Sequence, residues 1–320
     1  MIVNFTISSA GVIRLKNIII VFLLAAAILS GCTSYQQKED PNEVRQDSGA
    51  DGVEKEGKKP SAIGNETKNF LLIGVDSRGE EDSRSDAILL ASYIPSGESI
   101  KLVSLMRDSY VKIPDYEYMY SKLNHAYYIG GKDLLKDTIE QNFGVQIDHT
   151  AIIDFKGFTK MLDAIAPDGI EVEVSSAMID DMGLELDPGK QKLKGSDLLS
   201  YVRFRHDGQS DFGRVDRQQE ILIELKDEVM NQFSSPAGLA RFPEVISQAL
   251  KYVETDLKIE EAIALGVSFL MDPVTDIETL RVPITDSFEN KTYEHAGSVL
   301  QLDFEENSEA LKQFLKAEKE

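Results

Sequence analysis

The stretch Asn69-Phe70-Leu71-Leu72-Ile73-Gly74-Val75 runs directly into Asp76-Ser77-Arg78. Its apolar run is too short for a helix and reads as a buried strand. Two runs of the same kind follow at residues 87–94 and 100–105. Between them lies Pro95-Ser96-Gly97-Glu98-Ser99, a turn composition that joins antiparallel strands.

Outward from these strands the pattern alternates. Residues 131–143 have helical spacing, with Leu134, Leu135, Ile139 and Phe143 on one side. A strand is expected at 150–155, a helix at 157–165, and a strand at 169–174 with alternating Ile170, Val172 and Val174. Helices are expected at 196–202, 215–230, 242–252 and 259–271, strands at 280–284 and 298–302, and a closing helix at 305–319. Mixed strands and helices without a later linker or repeat predict one α/β domain with a central mixed β-sheet.

The N-terminal part is different. Arg14 and Lys16 precede an apolar run at 18–29, which meets Leu29-Ser30-Gly31-Cys32. A positive flank, a short apolar core and small residues before a cut make an export signal. The core is about a dozen residues, short of the roughly 20 that span a bilayer. The ending resembles a bacterial lipobox, in which Cys32 is acylated. Cys32 is the only cysteine, so an intrachain disulfide or a cysteine metal cage is excluded. The expected organisation is a lipoprotein signal peptide at 1–31, a flexible acidic and polar tether at 32–68 and a folded domain at 69–320.

The chain has 34 basic and 55 acidic residues, a formal charge of -21. That balance argues against broad nucleic-acid binding. Seven of the eleven arginines nevertheless fall in four short stretches that also carry aspartates. Guanidinium forks suit phosphate and carboxylate oxygens, so an anionic ligand is expected.

Asp76 ends one strand, and Arg84 and Asp86 open the next, side by side on one face if extended. The two carboxylates suit Mg²⁺ completed by water and substrate phosphate. A loop held by surface ion pairs is the plainer alternative. Arg107-Asp108 follows a third strand, with Lys122 and Asn124 further on. His125 reads more readily as a structural hydrogen-bonder than as a catalyst. If Arg203-Phe204-Arg205 is extended, both guanidiniums point one way, as a diphosphate clamp would require. Arg214 and Gln218 share a face at the start of a helix, where anions are favoured. Asp211 fits either an N-terminal cap or a general base. Asp216 and Arg217 fall on other faces and read as a local pair.

Taken in order, Phe70-Leu-Leu-Ile-Gly-Val-Asp-Ser-Arg78, Arg84-Ser-Asp86, Ser104-Leu-Met-Arg-Asp108, Lys122-Leu-Asn-His-Ala-Tyr127, Asp154-Phe-Lys-Gly-Phe158 and Arg203-Phe-Arg205 with Asp211-Phe-Gly-Arg214-Val-Asp-Arg-Gln218 resemble the LytR-CpsA-Psr family. The likeness covers about residues 69–230; the C-terminal remainder resembles the family only in general layout. Members attach glycopolymers such as teichoic acids or capsules to peptidoglycan, from a polyisoprenyl-pyrophosphate carrier. The resemblance implies a three-layer α/β/α sandwich with a hydrophobic pocket for the isoprenoid. It implies Mg²⁺ (or Mn²⁺) on Asp76 and Asp86. It implies that Arg84, Arg107, Lys122, Arg203, Arg205, Arg214 and Gln218 contact the pyrophosphate, with Arg107 and Arg214 also catalytic and Asp211 assisting the acceptor hydroxyl. The implied place is the extracytoplasmic face of the cell membrane, held by the lipid on Cys32. Met106 stands where the family commonly has proline, and most members use a transmembrane helix instead of a lipobox. The alternatives are a lipid-pyrophosphate-binding lipoprotein, a pyrophosphatase and a transcriptional regulator.

Overall fold

The computed structural model describes residues 67–75, 85–93, 99–183, 185–204, 211–271 and 276–316. The expected signal, Cys32 and the tether up to residue 66 lie outside them, as do Asp76, Arg78, Arg84 and Arg205, while Lys68, expected in the tether, opens the first strand.

The first strands are β1 (Lys68–Val75), β2 (Ser85–Tyr93) and β3 (Ser99–Leu105). A small hairpin follows, β4 (Tyr110–Lys112) with β5 (Tyr120–Lys122), leading into helix α1 (Leu123–Phe143). Then come β6 (His149–Asp154), α2 (Phe155–Ile165), β7 (Ile170–Val174), α3 (Ser176–Met182), β8 (Gly189–Leu193) and α4 (Gly195–Arg203). Helices α5 (Asp211–Phe233) and α6 (Pro236–Ala249) lead through a short turn to β9 (Glu254–Thr255) and α7 (Ile259–Met271). The chain closes with β10 (Asp276–Val282), the hairpin β11 (Phe288–Tyr293) and β12 (Gly297–Leu302), and α8 (Phe304–Leu315).

Six strands form the central sheet in the order β10-β3-β2-β1-β6-β9. β1 and β6 are parallel, as are β3 and β10, while the other neighbours are antiparallel. The sheet is therefore mixed. Alternate side chains of one strand point to opposite faces. Phe70, Leu72, Leu89, Ala91, Ile100 and Leu102 enter a core with Phe158, Ile221, Phe242 and Phe269 of α2, α5, α6 and α7. Leu71, Ile73, Ile88, Leu90, Val103 and Leu105 enter a second core with Leu135, Ile139 and Phe143 of α1 and Leu311 of α8. Both faces are covered, which makes three layers. It also explains why these strands are apolar throughout instead of alternating.

Lys101 is the charged exception within β3. It is buried, and its Nζ donates to the carbonyls of Phe314 (2.7 Å) and Lys316 (2.9 Å). An ammonium at a helix C-terminus satisfies orphan carbonyls and meets the negative end of the dipole. This fixes α8 against its face of the sheet.

Two expectations need correction. Arg203 is the last residue of helix α4, not the first of an extended strip. Leu198, Tyr201 and Val202 bury one helical face, and the backbone leaves the helix only at Phe204 (φ -55°, ψ 138°). The alternation of apolar and basic residues coincides with a helix end. Asp216, on the helix that follows, meets Arg281 at 3.5 Å. Finally, α1 begins earlier than its periodicity suggested. It crosses a kink at Gly130 and Gly131, where Gly131 takes a positive φ of 63° that favours glycine.

Candidate active site

The sheet brings its loop ends together at one edge. β1, β3, β6 and β10 run the same way and finish there, at Val75, Leu105, Asp154 and Val282. β2 is antiparallel to β1 and β3, so it begins at that edge. Strand ends of this kind are where α/β sheets meet ligands.

Asp86 owes its place to a bulge. Gly74 pairs with Ala87 and Val75 with Ser85, so Asp86 is the extra residue of β2. A bulge re-aims side chains next to a site. The Asp86 carboxylate accepts a short hydrogen bond from Arg107 Nη1. Arg107 Nε is also 3.4 Å from Asp108 Oδ2, and Lys122 Nζ is 2.7 Å from Asp108 Oδ1. Charges thus alternate along the edge from Asp86 to Lys122, with each side chain about a quarter exposed: 25% for Asp86, 20% for Arg107, 24% for Asp108 and 27% for Lys122. Backbone bonds hold this line in place, Asn124 N to Arg107 O at 3.1 Å and Leu123 N to Ser109 O at 2.9 Å.

The start of α5 reaches the same edge. Arg214 is buried, and its Nη2 donates to the Asp86 carbonyl at 3.3 Å. Gln218, one turn on, is buried too. Arg217 instead donates to the Phe204 carbonyl and lies over the Phe204 ring, 5.2 Å from its centroid. That contact ties the end of α4 to α5. Tyr201 adds to the tie, donating from its hydroxyl to Glu220 Oε2 at 2.8 Å. Burial first, and then that carboxylate, push the Tyr201 phenol well above its ordinary pKa.

Arg203 stacks over Phe155 at 4.5 Å. Phe155 opens α2, whose N-terminal cap is Asp154, accepting from Gly157 N at 2.7 Å. The Asp154 to Phe158 motif therefore has a structural explanation, since Asp154 closes β6 and caps the helix after it. Asp211 is the first residue of α5, but its carboxylate lies outside the described atoms.

Arg281 was not singled out from sequence. It sits near the end of β10, 3.5 Å from Asp216 and over the Phe212 ring at 4.4 Å. Gln219 on the same helix donates to Ser104 Oγ at 3.1 Å. Together they lock the first turns of α5 to β3 and β10. Arg281 carries no neighbouring aspartate in sequence, so the arginine–aspartate pattern passed over it.

The site is thus a charged edge of an α/β/α domain, with guanidiniums from a strand end and a helix start meeting at one bulged aspartate. The chain belongs to the LytR_cpsA_psr family, whose sequence pattern its residues 31–313 match. It is 36% identical over 247 residues to regulatory protein MsrR of Staphylococcus aureus strain COL, covering 77% of this chain and 74% of that protein. It is 29% identical over 297 residues to the polyisoprenyl-teichoic acid–peptidoglycan teichoic acid transferase TagV of Bacillus subtilis strain 168, covering 87% and 74%. The crystal structure of Bacillus subtilis TagV superposes with a TM-score of 0.63 at 27% identity, over 80% of this chain and all (100%) of that one.

Proposed function

We propose that the protein is a transferase that moves an anionic glycopolymer of the teichoic acid class from a polyisoprenyl-pyrophosphate carrier to peptidoglycan. The observation that carries this reading is the convergence of Arg107 and Arg214 on Asp86 at the sheet edge. It occurs in a chain similar along most of its length to a named teichoic acid transferase.

The chemistry follows from the donor. A peptidoglycan hydroxyl oxygen attacks the phosphorus that bears the polymer's reducing sugar. A new P–O bond forms and the bond from that phosphorus to the bridging oxygen breaks. Polyisoprenyl monophosphate leaves with the electron pair, and a phosphodiester remains. Negative charge builds on the bridging and leaving oxygens, which positioned cations stabilise. Arg107 and Arg214 stand at the edge for that role, with Arg84, Lys122, Arg203, Arg205 and Gln218 as further donor contacts. Asp211, at the start of α5, is assigned to receive the hydroxyl proton.

A hard divalent cation, Mg²⁺ or Mn²⁺, suits the oxygen donors here. Asp86 keeps a quarter of its side chain exposed, and Asp76 follows Val75, whose ladder partner is Ser85 next to Asp86. Two carboxylates with substrate phosphate and water form a ligand set that Mg²⁺ favours. When bound, the ion would neutralise pyrophosphate charge.

The lipobox-like ending at Cys32 supports a lipid anchor on the extracytoplasmic face of the membrane. Among the described residues no helix is long and apolar enough to cross a bilayer. The net charge of -21 speaks against DNA contact as the main activity.

The test is transfer of a defined lipid-linked teichoic acid to peptidoglycan by the purified full chain, with products analysed with and without acceptor. Polymer joined to peptidoglycan with release of lipid monophosphate is expected. Release that is the same without peptidoglycan would mark a pyrophosphatase instead.

A further inference from the structure

Next to the Asp108–Lys122 end of the site, three separate elements contribute a continuous group of aromatic rings. From the β4–β5 hairpin, Tyr110 stacks on Tyr293 of β11 at 4.6 Å and on Tyr120 at 5.7 Å. In the loop between β4 and β5, Tyr118 lies flat on His295, 4.9 Å away and 10° from parallel. On the first turns of α1, His125 stacks on Tyr128 at 5.5 Å. Tyr116 joins the two groups, edge-on to His125 at 5.3 Å and 5.6 Å from Tyr118.

Tyr110 is buried, and backbone bonds order the turn that carries Tyr116 and Tyr118. Ile113 N donates to Met119 O at 2.9 Å and Met119 N to Tyr116 O at 2.8 Å. Asp115 and Met119 hold positive φ values of 55° and 64°, a costly conformation outside glycine. The outer side chains of the turn and of α1 face solvent: Tyr118 is 53% exposed, Met119 52%, Tyr128 40% and Ile129 46%. A preformed exposed aromatic patch marks a binding surface.

The patch is fixed to the site. Tyr120 and Lys122 share one three-residue strand, and Lys122 pairs with Asp108. The Asp108 carbonyl accepts from Leu300 N of β12 at 2.9 Å, so the hairpin carrying Tyr293 and His295 is bound to the same residue. A ligand lying across the rings therefore ends at the charged edge.

Charge selects the ligand. The loops at 113–119 and 293–296 carry Asp115, Glu117 and Glu294, while Lys112 and Lys291 lie on the adjoining strands, Lys291 paired with Glu289 at 2.9 Å. The loop tips are thus acidic and offer polyanions and anionic lipid no basic cluster, whereas interfacial anchors pair their aromatics with basic residues. A neutral glycan suits it. One face of a pyranose presents C–H groups to an aromatic ring, and its hydroxyls and acetamido groups meet phenol, imidazole and carboxylate.

We propose that this aromatic platform binds the glycan strand of peptidoglycan, stacking its N-acetylated pyranose rings so that one hydroxyl reaches the charged edge. The proposal rests on the transferase reading for its choice of glycan, the acceptor being neutral along its sugar backbone and the donor polymer anionic.

The test uses the full chain and peptidoglycan sacculi stripped of anionic polymers. Paired Tyr118→Ala and Tyr128→Ala substitutions are expected to weaken sacculus binding about tenfold, while Tyr118→Phe with Tyr128→Phe restores it. Donor binding stays unchanged in both. Equal binding by the alanine pair and wild type overturns the proposal. So does a wild-type protein whose tyrosine fluorescence ignores an N-acetylglucosamine oligosaccharide, a measurement that needs no variant. Ring-dependent binding to phosphatidylglycerol vesicles with sacculus binding intact in the alanine pair also overturns it, in favour of a membrane contact. Turnover is read separately. Ring-dependent sacculus binding without transfer by the wild type sinks the transferase reading alone; transfer with an unchanged acceptor KM in the alanine pair sinks the platform alone.

Discussion

Arg214 and Arg217 are three residues apart on one helix, and their partners give them different work. Arg214 reaches the Asp86 carbonyl at the bulge, whereas Arg217 is spent on the Phe204 carbonyl and ring. Arg217→Leu should therefore cost about 1–3 kcal/mol in urea denaturation, the penalty for leaving a buried acceptor without its donor. Donor affinity of the protein that remains folded should not change. Arg107→Lys should behave in the opposite way. Its pair with Asp86 is partly exposed, a setting in which ion pairs contribute about 0–1 kcal/mol, so the melting temperature should hold to within about 2 °C. Transfer should fall about 100-fold, because an ammonium cannot replace the planar fork where transition-state charge is held. The pair of Arg107 with Asp108 was legible because the two are adjacent at a strand end in sequence, whereas the reach of Arg107 to Asp86 was not. Arg281 was not, since Asp216 and Phe212 reach it only through the fold.

At the level of elements, legibility followed hydrophobic content. β1, β2 and β3 are buried on both faces, and a continuous apolar run announces them. β8 and β11 are polar for most of their length and paired only in small sheets; nothing in their composition distinguishes them from loop. The extended reading at Arg203 failed because a helix end and a strand can share one local alternation. Helix α2 supplies a sharper check. A methyl group on Gly157 would stand 2.5 Å from the Tyr252 carbonyl oxygen and 3.1 Å from Asp154 Oδ1. The first of these is backbone, so α2 must move away from the turn after α6. Gly157→Ala should lower stability by about 1–3 kcal/mol, the usual cost of overpacking, read as a shift in the urea midpoint at unchanged slope.

Across the whole molecule the excess of acid is concentrated enough to be felt by single groups. Glu224 lines a cleft with Asp216, Glu220 and Thr279. Burial, and then Asp227, Glu220 and Glu171, raise its pKa above the ordinary carboxylate value. The native state then holds more proton than the unfolded chain as pH rises from the unfolded pKa to the folded one, so stability falls through that interval. Glu224→Gln should remove the loss and stabilise the protein by about 0.3 kcal/mol at pH 7, the size of a like-charge pair on a helix. Denaturation repeated below about pH 4, where the carboxyl is protonated in either state, should show the gain vanish.

The bulge in β2 has a further meaning. Without Asp86, the pairs Gly74–Ala87 and Val75–Ser85 would be consecutive rungs of an uninterrupted ladder. The sheet does not need this residue; it is a surplus of one in an otherwise even count. Deleting it would lengthen the regular ladder and remove the residue whose carboxylate meets Arg107 and whose carbonyl meets Arg214. At this position, selection for a more regular sheet and selection for a working site pull in opposite directions, and the irregularity records which of them prevailed.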